Sequence, residues 1–214
     1  MAIVNTAVPI TAKSCDQMIQ DLVTAYPRCR TEILGRTAFQ RPIRSLVLGN
    51  GPRTVLFSAA HHANEWITSL VLLKYGEDLL QAAAEDGRFT DRPAGEILDK
   101  VTIHMVPMVN PDGVDLVVGA LDQEDVGYDL AERISRAFSQ IPFPDGWKAN
   151  LLGTDLNLNY PAGWLIAREI KFSQGYTRPA PRDYVGRAPL NQPETAALAD
   201  YTEKVDPDLV LAYH

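Results

Sequence analysis

Two clusters in the 214-residue chain carry side chains that could hold a metal ion. His61-His62-Ala63-Asn64-Glu65-Trp66 sets a histidine and a carboxylate three residues apart, and Leu209-Val210-Leu211-Ala212-Tyr213-His214 ends on a second histidine. Imidazole nitrogens and a carboxylate oxygen are the usual donors to zinc, and two histidines with one carboxylate leave a coordination position open for hydrolytic chemistry. His62, Glu65 and His214 are therefore the candidate ligands of one zinc ion. A His-x-x-Glu pair is a weak signal in isolation. Its weight depends on where the fold places it.

The elements around these clusters alternate between helix and strand. Ser14 to Gln17 reads as a capping box, followed by Met18, Ile19, Leu22, Val23 and Tyr26 at helical spacing. Glu32–Arg36 and Ile43–Leu48 read as strands joined through Phe39-Gln40-Arg41-Pro42, and Thr54–Ala59 reads as a short buried strand. A helix from Glu65 to about Ala84 follows, then a strand over Val101–Val109, a helix over Tyr128–Gln140 and an irregular stretch from Ile141 to Leu190. Asn191 caps a helix with Pro193 in its first turn that runs to about Lys204, and Leu209–Tyr213 is a final apolar strand. This alternation predicts an α/β fold with a mixed, largely parallel sheet and helices on both faces. In such sheets ligands bind beyond the carboxyl ends of strands. His62 and Glu65 follow one predicted strand and His214 ends another, so all three fall where a site is expected.

Bulk properties narrow the function. The chain is 46% apolar and 22% charged with a net charge of −7, an acidic balance that argues against nucleic-acid partners held through phosphates. No apolar run is long enough to span a membrane. The first residues carry no basic segment followed by an apolar stretch, so no secretion signal is read and a cytoplasmic location is expected. Cys15 and Cys29 are expected to be reduced thiols in that compartment.

HHANEW resembles the first zinc motif of the carboxypeptidase A-like zinc peptidases. The resemblance continues in order through Asn110-Pro111-Asp112-Gly113, Gly153-Thr154-Asp155-Leu156-Asn157-Leu158-Asn159 and the strand-end His214, and so covers the chain from about residue 15 onward. The wording HHANEWIT, VPMVNPDGVDL and WKAN resembles most the branch that cleaves γ-D-glutamyl-diamino acid bonds of bacterial cell-wall peptides. The resemblance implies one catalytic domain over residues 1–214, a zinc ion on His62, Glu65 and His214, and a peptide substrate. It implies that Asp155 orients a zinc-bound histidine, that Asn157 and Asn64 contact substrate, and that Lys148 stands where the family's oxyanion-stabilising arginine stands. His61 has the wrong spacing to Glu65 for this motif and reads as a neighbour of the site. His104 alternates within a strand and reads as a sheet-face histidine.

The departures shape the expected substrate. Carboxypeptidases of this family follow the Asp-x-Asn motif with an arginine that grips a terminal carboxylate; here Leu158 follows Asn157, and leucine cannot bind a carboxylate. Arg178 and Arg182, in an arginine-rich stretch of an otherwise acidic chain, are the candidates for holding an anionic peptide. The family's general-base glutamate comes well after the third ligand, so the domain is expected to be incomplete on its C-terminal side. Glu194 and Glu203 are poor substitutes, Glu194 being explained by the helix start. An apolar strand such as Leu209–Tyr213 belongs between neighbours, so the chain is expected to expose apolar surface and to be less stable or to self-associate. Two other functions fit the same motifs: a non-catalytic zinc- and peptide-binding domain, and a deacylase of N-acyl amino acids.

Overall fold

The first helix begins at a threonine. In the computed structural model, which describes residues 2–214, α1 (Ala12–Ala25) is capped by Thr11. The Thr11 hydroxyl accepts from Ser14 N at 3.0 Å and Ser14 Oγ accepts from Thr11 N at 2.9 Å. Ser14 is thus the reciprocal partner inside the helix and not the cap. Gln17, expected to reach back, instead donates to Asp21 at 2.8 Å. α1 buries Cys15, Met18, Ile19 and Leu22, the stripe its spacing predicts.

Strands β1 (Cys29–Arg36) and β2 (Pro42–Leu48) form an antiparallel hairpin with a register shift between Ile33 and Gly35. β3 (Arg53–Ala59) leads through a 3₁₀ turn (Ala63–Glu65) into α2 (Ile67–Ala84). A two-stranded ribbon, β4 (Arg88–Phe89) and β5 (Arg92–Pro93), precedes α3 (Ala94–Lys100) and β6 (Val101–Val106). Then come α4 (Pro111–Val117), α5 (Val126–Ser135), a 3₁₀ turn (Leu156–Leu158), α6 (Trp164–Ser173), α7 (Pro193–Val205) and β7 (Leu209–Tyr213).

The main sheet runs β1-β2-β6-β3-β7. β6, β3 and β7 are parallel, and β2 alone runs against the other strands. α1, α2 and α3 cover one face through a core that includes Leu22, Leu46, Phe57, Leu73, Leu98 and Met105. α7 covers the other face with Ala197, Leu198 and Tyr201 against Ile43, Leu56 and Val106. The expected α/β architecture is therefore present, and β3, β6 and β7 bring their carboxyl ends to one rim.

Several local expectations differ. α6 lies within the stretch read as irregular. Only Trp164 of this helix is buried, while Leu165, Ile166 and Ile170 face solvent, so its apolar residues do not mark a core-facing stripe. Gln192, not Asn191, occupies the cap position of α7 and makes no side-chain cap bond; Asn191 Oδ1 accepts from Asn159 Nδ2 at 2.8 Å instead. α5 begins two residues ahead of the predicted start, and Asp125 caps it by accepting from Gly127 N at 2.7 Å. His104 lies on the sheet face under α7, with Nδ1 2.6 Å from Tyr201 Oη. Cys15 and Cys29 are buried and unbridged. No helix among the described residues is long and apolar enough to cross a membrane.

β7 is an edge strand among the described residues. It pairs with β3 alone, and Leu209, Val210 and Leu211 are each about half-exposed, at 50%, 49% and 45%. Both faces of the strand are thus incompletely covered.

Candidate metal centre

The turn after β3 is fixed from three directions. Val109 N and Asn110 N, just beyond β6, donate to Ala59 O and Ala60 O at 3.0 and 3.1 Å. Asn110 Nδ2 donates to His61 O at 3.2 Å and to Ala149 O at 3.0 Å, while its Oδ1 caps α4 through Gly113 N at 3.1 Å. Ala63 N donates to Lys148 O at 3.0 Å. On the helix side, Thr68 Oγ1 accepts from Ala60 N at 3.0 Å and donates to Glu65 O at 2.7 Å. The Asn-Pro-Asp-Gly segment and the Trp-Lys-Ala-Asn segment therefore act as braces for the His61–Glu65 turn. Ala60 takes a positive φ of 49° there, a left-handed conformation that this bracing must sustain.

His214 reaches the same place through the sheet. β3 and β7 pair in parallel register, with Ala59 opposite Tyr213, so the residues beyond the two strand ends converge. His62 Nδ1 lies 2.9 Å from Glu65 Oε2, and His214 Nδ1 lies 3.2 Å from His62 Nδ1 and 3.0 Å from Glu65 Oε2. These three residues are a group of potential metal donors whose atoms converge. With bonds of 2.0–2.1 Å, donors at the corners of a tetrahedron around zinc stand about 3.3 Å apart. The observed triangle needs only a slight opening to match. The residues present thus fit the ion.

The orientation of His62 also suits a metal. Its Nε2 faces Asp155 Oδ1 at 3.1 Å, and Asp155 Oδ2 accepts from Asp183 N at 3.0 Å. A proton held on Nε2 by the carboxylate leaves the Nδ1 lone pair facing Glu65 and His214. Burial opposes a charged His62, but Asp155 and Glu65 outweigh it and raise its pKa above the ordinary imidazole value. Burial likewise works against ionised Glu65, and its bonds to His62, Lys148 and His214 outweigh that and lower its pKa. A pocket that favours positive charge on an imidazole and negative charge on the carboxylate is one that favours a cation among them.

Lys148 joins the cluster, with Nζ 3.2 Å from Glu65 Oε1, the oxygen turned away from the histidines. Its backbone N and that of Ala149 both donate to Pro181 O, at 2.8 and 2.9 Å. Asn150 Nδ2 donates to Gln192 Oε1 at 2.8 Å and Glu194 Oε2 at 3.3 Å. Glu194 is almost fully buried, and desolvation pushes its carboxyl up to about 7. It is a structural acid under the Lys148–Asn150 loop and more than a helix-start residue. His61 is also buried, with Nε2 3.0 Å from Tyr160 Oη; burial, with His214 and His62 nearby, pushes it down to about 3 and keeps the ring neutral.

None of the remaining expected residues makes a hydrogen bond to the triad among the described residues. Asn157 is exposed on its 3₁₀ turn. Asn64 is half-buried and its Oδ1 has no hydrogen-bond partner among the described residues. Arg182 Nε pairs with Asp183 Oδ2 at 2.7 Å, and Lys171 pairs with the other oxygen at 2.6 Å. Arg182 therefore stands beside the loop that holds Asp155, with its charge already engaged. Arg178 is exposed over the ring of Phe138 at 6.0 Å. Glu203 is exposed near the end of α7. Sequence reasoning missed the Asp183 backbone contact, the Tyr160–His61 pair and the burial of Glu194. Only the His-His pair itself could have pointed to any of these.

The profile of the zinc carboxypeptidase family matches residues 15–214. The γ-D-glutamyl-L-diamino acid endopeptidase 1 of Lysinibacillus sphaericus is 37% identical over 202 residues, covering 92% of this chain and 48% of the relative. The chain spans about half the length of the curated relatives it matches. Among solved structures, thrombin-activatable fibrinolysis inhibitor superposes with a TM-score of 0.72 at 16% identity, covering 100% of this chain and 50% of the other. Carboxypeptidase A from Helicoverpa armigera gives a TM-score of 0.67 at 18% identity, covering 98% of this chain and 46% of the other. With the family profile matched from Cys15 to the strand-end histidine, the chain belongs to the zinc carboxypeptidase family.

Proposed function

We propose that the protein serves as a zinc-dependent hydrolase of amide bonds in anionic peptides, with γ-D-glutamyl-diamino acid bonds of cell-wall peptides as the substrate class. The observation that carries this reading is the convergence of His62 Nδ1, Glu65 Oε2 and His214 Nδ1 within 3.2 Å of one another at the rim of the sheet. These three residues would hold one ion. Zinc in such a site supplies a Lewis acid for the scissile carbonyl and a water acidified to near neutrality.

The chain's own groups do the positioning. Asp155 holds the Nε2 proton of His62 and so presents Nδ1 inward. Lys148 engages the outer oxygen of Glu65, which leaves Oε2 to face the two histidines. The same ammonium is the positive group nearest the triad, where negative charge develops on a carbonyl oxygen during amide hydrolysis. Among the described residues, the only carboxylates hydrogen-bonded to the triad histidines are Glu65 and Asp155, and both have holding or orienting roles. The substrate class rests on the similarity to the Lysinibacillus sphaericus enzyme and on Leu158, which offers no group to a terminal α-carboxylate. A cytoplasmic setting suits the two unbridged thiols.

The test pairs metal content with substrate choice. Zinc-loaded chain is assayed on γ-D-glutamyl-diaminopimelate and on hippuryl amino acids. Cleavage of the former alone supports the reading. Cleavage of hippuryl substrates alone makes the chain a deacylase or ordinary peptidase. Bound zinc with neither activity shows that these 214 residues hold the ion without hydrolysing either substrate, the binding-domain alternative for this chain taken alone, and a chain that binds no zinc rejects the site.

A further inference from the structure

The two imidazoles of the triad are held by different means. His62 has Asp155 behind it. His214 has no hydrogen-bond partner outside the triad among the described residues, and its side chain is 35% exposed at the end of edge strand β7. What the His214 ring does have is a neighbour across its face. The rings of His61 and His214 stack with centroids 5.7 Å apart and planes 29° from parallel.

His61 does not share the mobility expected of a strand end. It is 3% exposed. Its carbonyl is held by Asn110, and its Nε2 lies 3.0 Å from Tyr160 Oη, with the Tyr160 ring edge-on at 5.9 Å. Tyr160 follows Asn159, whose side-chain amide donates to Val185 O at 2.8 Å, Ala188 O at 2.9 Å and Asn191 Oδ1 at 2.8 Å. Asn159 Oδ1 accepts in turn from Thr195 Oγ1 at 2.8 Å. The His61–Tyr160 pair is thus anchored in the loop scaffold that also carries Asp155, and it owes nothing to β7. The Nε2 of His61 is engaged by Tyr160, its Nδ1 is buried without a hydrogen-bond partner among the described residues, and the donor atoms that converge are those of His62, Glu65 and His214 alone. The ring is therefore placed as a support for a ligand and not as another ligand.

We propose that His61 is a positioning residue for His214, a flat shelf packed edge-on against Tyr160 on which the His214 ring lies with Nδ1 aimed at His62 and Glu65. This rests on the zinc-site reading above. A shelf acts through its face, so any flat ring of similar size should serve, whereas a side chain of similar volume without a flat face should not. Residues that orient zinc ligands from behind typically change metal affinity by about 10- to 100-fold when lost.

The experiment measures zinc affinity of the full chain by competition with a chromophoric chelator, for wild type, His61→Phe, His61→Leu and His62→Ala. We expect His61→Phe to bind within about twofold of wild type, His61→Leu to bind about 10-fold more weakly, and His62→Ala to lose tight binding. Melting of the zinc-free proteins separates a weakened site from a weakened fold. His61→Leu at wild-type affinity, or His61→Phe as weak as His61→Leu, overturns the proposal. Should the Leu variant fail to fold, the Phe variant decides alone: wild-type affinity supports the shelf and a tenfold loss rejects it. If wild type takes up no zinc, or His62→Ala binds as wild type does, the zinc-site reading itself has failed, a result distinct from failure of the shelf.

Discussion

The site draws on two regions built to different standards. The turn that carries His61, His62 and Glu65 is braced by Asn110, Lys148 O and Thr68, and its histidine is oriented by Asp155, which is itself held by Asp183 N. His214 arrives on β7, paired on one side only among the described residues and about half-exposed along Leu209, Val210 and Leu211. The first region holds its ligands in place before any ion arrives. The second delivers its ligand from an open edge, so ordering the strand end costs conformational entropy that binding must offset. The geometry of the triangle is therefore set by the braced turn, and β7 is fitted to it through the Ala59–Tyr213 register and the His61 shelf.

The sharpest way to break this contrast is to remove one ligand from each region. His62→Ala should weaken zinc binding by on the order of a thousandfold, about a third of the free energy of a well-formed site. His214→Ala should cost less, because the ligand it removes was the less ordered of the two. Chelator competition measures both, and equal losses would show that preorganisation does not distinguish the regions.

The next effect is a pH dependence under the braced loop. Glu194 holds its proton up to about 7 in the folded chain against an ordinary value of 4.5, because it is buried. Folding then takes up a proton between those values. The stability linked to Glu194 is fully present below about pH 4.5 and is lost as pH rises through about 7. Glu194→Gln keeps a neutral hydrogen-bonding group and removes the titration. Relative to that variant, wild type should lose about 3 kcal/mol between pH 4.5 and pH 8 in urea unfolding. A difference that does not change with pH would place ionised Glu194 in contact with water.

Asp155→Asn should lower zinc affinity by about 10- to 100-fold. An amide can accept a hydrogen bond from His62 Nε2–H through its oxygen but then turns its NH₂ toward Asp183 N, so the second anchor is lost. Unchanged affinity would mean that the turn alone orients His62. The smallest effect belongs to the open edge. Val210→Lys should alter stability by less than about 0.5 kcal/mol while reducing self-association through β7, as charged side chains do on exposed strands. Sedimentation of both proteins over a concentration range measures this; identical association would put the contact elsewhere.

The parts of this arrangement that could be read from the amino-acid order are those in which residue type and neighbouring spacing carry the information. His62 and Glu65 sit three apart beside a strand end, and the apolar strands and α1, α2 and α7 announce themselves by periodicity. Asp155 was reachable only through the motif it belongs to. Partners set by long-range packing were not legible. Tyr160 lies 99 residues from His61, and the Asp183 amide that holds Asp155 lies 28 residues on in a loop without regular pattern. Ser14 reads as the first cap from its spacing to Gln17, whereas the cap is Thr11, a hydroxyl of the same capping chemistry three residues ahead. α6 escaped because three of its large apolar side chains face outward. Glu194 sits after a proline at a helix start, where a surface carboxylate interacting with the helix dipole is the ordinary case, and only the packing of α7 against the Asn150 loop reveals its burial.

The central claim is that His62, Glu65 and His214 bind zinc as one site. The most direct measurement is elemental analysis of the chain purified without chelators, alongside His62→Ala prepared in the same way. The account predicts one equivalent of zinc per wild-type chain and its loss in the variant. A wild-type chain that carries no zinc and takes up none from solution, or a variant that retains a full equivalent, would contradict it.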